Sequence, residues 1–220
     1  MKFDAVLFDC DGVLVDSETI TCRVLRDMLE ERGWAMTAQE CFGFFVGKAV
    51  RDERATIEAR TGLPLTEDWM REFYERRNRE LNARLTAIAG AHAAVEAAYT
   101  HAQQRIACAS GADRFKVEMQ LDKVGMMDWF AGRIFSGHEM PRSKPAPDVY
   151  LAAARHLATD PSCCLVIEDT PTGVTAGVAA GATVWAYCPL PAQAEALQRA
   201  GASHLFSHMG ELPALLAAQG

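Results

Sequence analysis

FDAVLFDCDGVLVDS, residues Phe3 to Ser17, carries an apolar run, Ala5-Val6-Leu7-Phe8, that stops abruptly at Asp9-Cys10-Asp11-Gly12. A short continuous apolar run ending in a polar, glycine-containing turn reads as a buried strand that delivers two carboxylates at its C-terminal end. Residues two apart in an extended segment point to the same side, so Asp9 and Asp11 face one small ligand or cation. Gly12 lets the backbone come close to it. Two carboxylates at one site repel each other. A cation relieves that repulsion and leaves the pair with unlike proton affinities, which suits a nucleophile and an acid/base partner.

Working outward, Asp16 and Ser17 offer capping side chains, and Ile20, Val24, Leu25, Met28 and Leu29 then recur at helical spacing until Gly33. Further helices are expected over Ala49–Arg60 and Thr66–Arg84, the latter with Trp69, Met70, Phe73, Arg77 and Leu81 along one stripe. No strand pattern occurs between Ser17 and about Leu85. Beyond it the pattern alternates, with strands expected at Arg105–Ala109, Arg133–Phe135, Cys164–Ile167 and Thr183–Ala186. Helices are expected at Ala91–Tyr99, Asp113–Val124, Asp148–Leu157 and Thr172–Ala180. Such alternation predicts right-handed crossovers and a parallel sheet covered on both faces. The expected architecture is therefore an α/β, Rossmann-like core, residues 1–16 and 86–220, interrupted after its first strand by an all-helical insert, residues 17–85.

The chain's 220 residues exceed one average domain but hardly fill two, which agrees with a core plus an insert. Half the residues are hydrophobic and 23% are charged, the composition of a globular chain without extensive disorder. A net charge of -7 without a basic tract argues against nucleic acid as a partner. An anionic metabolite would need a local positive site. The seven cysteines fall mostly in apolar runs without CxxC or Cys/His spacing and read as reduced core residues of a cytoplasmic protein. The six histidines likewise show no ligand spacing. No run approaches membrane-spanning length, and the first strand begins within three residues, which reads as leaving no signal peptide.

Ligands of parallel sheets sit beyond the carboxyl ends of the strands, so the residues there are read together. They are Asp9 and Asp11, then Ser110-Gly111, then Ser143-Lys144-Pro145, then Glu168-Asp169. Ser110 brings a hydroxyl, and Gly111 opens a turn whose N–H groups can cradle an anion. Lys144 brings a compact positive charge suited to a phosphate oxygen. Asp169 adds a carboxylate next to a helix start at Pro171, and carboxylates with backbone oxygen are donors that Mg²⁺ prefers. Singly, each motif is equally at home in an ordinary turn or cap; together, after successive strands, they form one chemical set.

FDCDGVLVDSE, ASG, SKPAPD and VIEDTPTGVTAGVAAG resemble, in order and spacing, the four motifs of the haloacid dehalogenase-like superfamily. The insert is similar to the helical cap of its β-phosphoglucomutase-like phosphatase branch, which includes bacterial phosphatases acting on small metabolites such as 6-phosphogluconate. The resemblance implies that Asp9 forms an aspartyl-phosphate and that Asp11 protonates the leaving oxygen and then activates water. It implies that Asp9, the Asp11 carbonyl and Asp169 hold Mg²⁺, with Glu168 as a further ligand or an anchor, and that Gly12, Ser110, Gly111 and Lys144 hold the phosphoryl group. Gly47-Lys48 is the expected cap contact. The dehalogenases themselves lack the second aspartate, so Asp11 places the chain with the phosphoryl-transfer members.

A phosphosugar mutase, a phosphonate hydrolase using Lys48 as a Schiff-base lysine, and a non-enzymatic phospho-receiver are the competing readings. Mutases of this branch carry a histidine in the first cap helix, where this chain has Thr21. No histidine occurs between Met1 and Arg84, which favours hydrolysis. The expected protein is thus a Mg²⁺-dependent phosphatase of a small phosphorylated metabolite, a monomer or small homo-oligomer with no nucleic-acid or membrane partner.

Overall fold

A computed structural model of the chain describes residues 3–46, 48 and 50–219. Gly47, half of the expected cap contact, and Ala49, the expected start of a helix, lie outside the described residues. After β1 (Ala5–Phe8) the chain runs through α1 (Glu18–Glu30), α2 (Ala38–Phe45), α3 (Arg54–Thr61) and α4 (Glu67–Arg84). It then alternates through α5 (Ala91–His101), β2 (Ile106–Ser110), α6 (Arg114–Lys123), α7 (Met127–Phe130), β3 (Ile134–Ser136) and α8 (Asp148–His156). It closes with β4 (Cys164–Glu168), α9 (Pro171–Ala179), β5 (Thr183–Tyr187), α10 (Ala194–Arg199), β6 (His204–Phe206) and α11 (Leu212–Ala217). Two compact units result, Met1–Val15 with Thr86–Gly220, and Asp16–Leu85.

In the first unit the six strands form one parallel sheet in the order β3-β2-β1-β4-β5-β6. Every residue of β1, β2 and β4 is buried, which is why these strands read as unbroken apolar runs rather than alternating ones. Leu7, Val166 and Val184 of the sheet share a core with Val149, Tyr150 and Ala153 of α8 and Val174 and Ala176 of α9. The chain winds one way from β1 to β3 and the other way from β4 to β6. The order therefore reverses between β1 and β4, where such sheets open a crevice for ligands.

The second unit is all-helical. Thr37 and Glu40 form a capping box at α2: Thr37 Oγ1 accepts from the Glu40 N–H at 3.2 Å, and Glu40 Oε2 accepts from the Thr37 N–H at 2.7 Å. Thr66 caps α4 by accepting from the Trp69 N–H. The predicted stripe of α4 is buried along its whole length, Arg77 included. Met70 and Phe73 pack with Leu25, Met28, Leu29, Cys41, Phe45 and Ile57 in a core of their own. Each such side chain contributes roughly 1.5–3 kcal/mol on burial.

Several local expectations are corrected. Helix α2 was not foreseen, and the helix expected over Ala49–Arg60 is α3, which starts only at Arg54. The strand β6 and helices α7, α10 and α11 also go beyond the sequence reading. Ser17 stands at the N-cap of α1 but makes no capping bond, because its backbone is already helical (ψ -23°) and its side chain does not reach the orphan N–H groups. Asp16 instead accepts from the Thr19 hydroxyl.

Candidate active site

Asp9 follows β1 directly, and its N–H donates to the Ile167 carbonyl of β4 at 3.0 Å, carrying the strand pairing one residue past the strand. The turn behind it is closed by Leu14 N–H to Cys10 O and Gly12 N–H to Val15 O, both 2.9 Å. Gly12 has a positive φ of +79°, and a Cβ there would lie 2.1 Å from Asp169 Oδ2. Any side chain at position 12 would thus be strained and would collide with the carboxylate arriving from β4.

Lys144 Nζ donates to Asp9 Oδ1 at 2.6 Å and to Glu168 Oε1 at 2.7 Å. The Glu168 carboxylate is only 1% exposed and accepts five hydrogen bonds in all. The other four come from the Tyr150 hydroxyl, the Asp169 and Thr170 N–H groups and the Thr170 hydroxyl. Lys144 also lies 4.7 Å from the centre of the Tyr150 ring. Burial pushes the Asp9 carboxyl up to about 7, against the lowering pull of Lys144 and with Glu168 and Asp11 adding to the rise. Glu168, by contrast, is held below the usual carboxylate range: burial opposes this, but Lys144 and the donated hydrogen bonds prevail. The Lys144 ammonium is raised by its two carboxylates despite burial.

Asp11 is served by a different cation. Lys116 Nζ and Gln120 Nε2, both from α6, donate to Asp11 Oδ1 at 2.7 and 2.9 Å. Ser110 ends β2, and its Oγ accepts from the Ala112 N–H, while Ser136, its partner in β3, donates to the Ala112 carbonyl. Those bonds shape the turn at Gly111. Lys48 lies in the helical unit, where it pairs with Glu53 at 3.1 Å and sits 4.5 Å from the centre of the Phe44 ring.

Among the described residues, Asp9, Glu168 and Asp169 form the one group of three whose carboxylate oxygens all lie within 4.8 Å of one another. No histidine or cysteine belongs to it. Hard oxygen donors alone are the set for Mg²⁺ or Ca²⁺ rather than a softer metal. Three carboxylates against one ammonium leave an excess of two negative charges when all are ionised, which one divalent cation balances. The donor set therefore fits Mg²⁺. Both Glu168 oxygens already accept from protein donors, Oε1 from Lys144 and Tyr150 and Oε2 from Asp169 and Thr170, which is how a carboxylate that anchors its neighbours is engaged.

Sequence reasoning missed Lys116, Gln120 and Tyr150. They sit on helices, and only the three-dimensional packing brings them to residues more than 100 positions away in the case of Asp11. One signal was available: Lys116, Val117, Gln120 and Leu121 form the buried face of α6, so two polar residues interrupt an apolar stripe.

A family model for haloacid dehalogenase-like hydrolases matches residues 3–181. The chain belongs to that family. It is 28% identical over 220 residues to the 6-phosphogluconate phosphatase of Escherichia coli, covering all of this chain and 97% of that protein. Among solved structures, a haloacid dehalogenase-like protein of unknown function from Agrobacterium tumefaciens shares 30% identity with a TM-score of 0.86, covering 99% of both chains. A hydrolase of the same family from Deinococcus radiodurans, with bound phosphate and sodium, shares 34% identity with a TM-score of 0.79, covering 99% of this chain and 96% of that one. The α/β fold with its parallel sheet is thus the family's, and the chain is a hydrolase. Among the described residues, no helix is long and apolar enough to cross a membrane.

Proposed function

We propose that this chain is a cytoplasmic, Mg²⁺-dependent phosphatase that hydrolyses a small phosphorylated metabolite, a sugar phosphate or phosphosugar acid, through an aspartyl-phosphate on Asp9. The observation that carries the reading is the pair of aspartates at the sheet's switch point, each held by its own lysine: Asp9 by Lys144 and Asp11 by Lys116. Two carboxylates so close and so differently served are suited to different tasks. The relative that acts on 6-phosphogluconate supports the substrate class.

In this reading Asp9 attacks phosphorus, and Lys144 neutralises charge as it spreads over the phosphoryl oxygens. The Ser110 hydroxyl and the backbone at Gly111 orient those oxygens. The covalent intermediate on Asp9 splits one difficult displacement into two easier ones, and Asp11 gives a proton to the leaving oxygen in the first and takes one from the attacking water in the second. Glu168 and Tyr150 hold Lys144 in place. Asp9, Asp169 and the Asp11 carbonyl are the oxygens that would hold Mg²⁺, which supplies further charge compensation when bound. The helical unit, Lys48 included, is assigned to substrate selection.

The test is phosphate release from a panel of phosphorylated sugars and sugar acids with Mg²⁺, with β-glucose 1-phosphate plus catalytic glucose 1,6-bisphosphate as one arm. Release of phosphate from members of the panel is expected. Glucose 6-phosphate forming faster than phosphate is released would replace the phosphatase by a mutase.

The raised Asp9 proton affinity makes Mg²⁺ binding pH-dependent with a definite sign. Below about 7 the folded protein carries a proton on Asp9 that the cation must displace. The apparent Mg²⁺ affinity is expected to weaken by up to about tenfold per pH unit below that point, and to level off above it. Calorimetry in two buffers of different ionisation enthalpy reads the released proton directly. An affinity that does not change with pH would move the cation away from Asp9.

A further inference from the structure

All seven cysteines are free thiols, and six of them are buried. Two of the six meet in the core of the helical unit, Cys22 on α1 and Cys41 on α2. The Cys41 thiol donates to the Cys22 backbone carbonyl at 3.3 Å, and the Cys22 thiol donates to the Cys41 sulfur. The two sulfurs already face one another, so bringing them to the ~2.05 Å of a disulfide is a movement within one helix–helix contact. Cys22 has a second face. Between α1 and α2 lies a cavity of about 200 Å³ lined by Ile20, Cys22, Arg23, Arg26, Ala38 and Phe42. Arg23 and Arg26 are partly exposed, so the cavity opens to solvent beside them. Cys41 is fully buried and does not line it. One thiol of the pair therefore meets small molecules from solvent, and the other stands behind it.

We propose that Cys22 and Cys41 form a reversible oxidation site, at which Cys22 reduces a small hydroperoxide that enters the cavity and Cys41 then closes the disulfide. Hydrogen peroxide, little larger than water, fits the space. The hydrogen bond from Cys22 pulls the Cys41 thiol below the ordinary thiol range, against burial and with the charge of Arg26 helping, and the same bond raises Cys22. The first proton of the pair accordingly leaves from Cys41, whose thiolate is placed to take the proton of Cys22. As it does so, the Cys22 sulfur attacks one peroxide oxygen, the O–O bond breaks, hydroxide departs and Cys22 becomes a sulfenic acid. The Cys41 sulfur then displaces a second hydroxide from Cys22, its proton goes to that hydroxide, and the S–S bond forms. In sum two thiols lose two electrons and two protons, and the peroxide becomes two waters. A sulfenic acid closed in this way is kept from the irreversible sulfinic acid, and a thiol reductant restores the pair.

In the experiment the folded protein is treated with hydrogen peroxide, its remaining thiols are blocked with iodoacetamide, and its peptides are mapped by mass spectrometry without reduction. A Cys22 peptide linked to a Cys41 peptide is expected, and dithiothreitol added before blocking should return both to the alkylated form. Cys163, the one cysteine that is not buried, is the internal comparison. Oxidation of Cys163 while Cys22 and Cys41 remain fully alkylated would mean that exposure alone governs reactivity and would overturn the proposal. A Cys22–Cys41 link that forms only in protein unfolded beforehand would do the same. Cys41→Ala separates the two steps. Cys22 should then stop as a sulfenic acid that dimedone traps, at a level about tenfold or more above that in the wild type, and on longer exposure it should gain two oxygens. Equal dimedone labelling of Cys22 in wild type and variant would take Cys41 out of the reaction and overturn the pair. Should Cys41→Ala not fold, Cys41→Ser, closer in size and without sulfur, carries the same comparison. None of these readouts depends on phosphate release, so the site stands or falls apart from the phosphatase reading.

Discussion

Asp9→Asn is expected to abolish phosphatase turnover, by at least about 10⁴-fold, the scale on which an enzyme loses its nucleophile. The amide is nearly the size of the carboxylate but does not attack phosphorus. Its oxygen can still accept from Lys144, which Asp9 now meets at 2.6 Å. The fold should not suffer, because the carboxylate is buried and its ionised form is penalised there, as its rise to about 7 records. Above that pH, replacing a penalised charge by a neutral amide removes a cost rather than adding one. Lys144 keeps a second carboxylate in Glu168 at 2.7 Å. A melting temperature at pH 8 equal to or above that of the wild type is therefore expected together with the loss of turnover. No phosphate should be trapped on the denatured variant, while the wild type quenched in acid retains it. Turnover that survives would take Asp9 out of the centre of the reaction.

The sequence made the strand ends legible and the helix faces much less so, for a physical reason. Asp9, Asp11, Lys144 and Asp169 stand where apolar runs break, and in a parallel sheet all such breaks gather at one edge. Their proximity follows from topology without any knowledge of packing angles. Lys116 and Gln120 reach Asp11 only because α6 packs with one particular face inward. In the sequence they are a lysine and a glutamine one turn apart, indistinguishable from a solvated pair unless their position on the Val117/Leu121 stripe is weighed. Tyr150 is legible as a core residue of α8, yet its hydroxyl contact with Glu168 at 2.9 Å is not.

Elements with weak patterns behaved in the same way. Helix α2 has a weak pattern although Thr37 and Glu40 spell a capping box, because its eight residues include Gly43 and bury only Cys41 and Phe45. Strand β6 has three residues at the sheet edge, with His204 exposed and Leu205 half-buried, so it shows neither an apolar run nor an alternation long enough to read. Helix α4 is legible because its stripe spans several turns and survives the arginine, Arg77, that lies within it. That arginine is buried with its guanidinium 4.8 Å from the centre of the Tyr74 ring, a placement a charged residue reaches by packing its flat face against an aromatic one.

Asp11→Asn is expected to behave differently from Asp9→Asn in both stability and kinetics. The Asn oxygen still accepts from Lys116 and Gln120, but the ammonium of Lys116, buried and 2.7 Å away, loses the charge it faces. That should cost about 1–3 kcal/mol, the range for a buried charge that keeps its acceptor but not its counter-charge. A lowered melting temperature is the expected sign, opposite to that for Asp9→Asn. Turnover should fall by about 10²–10⁴-fold, because the leaving oxygen and the attacking water both lose their proton partner. The two half-reactions separate on p-nitrophenyl phosphate. Attack by Asp9 needs little acid help there, whereas release of the phosphoryl group still needs an activated water. The variant should therefore show a burst of about one p-nitrophenol per active site followed by slow turnover, the mark of a covalent intermediate that forms faster than it breaks down. On phenyl phosphate the first step is itself impaired and the burst should vanish. A near-wild-type rate on phenyl phosphate, with no burst on either ester, would mean that another group moves the proton and that the Lys116–Asp11 pair serves stability alone.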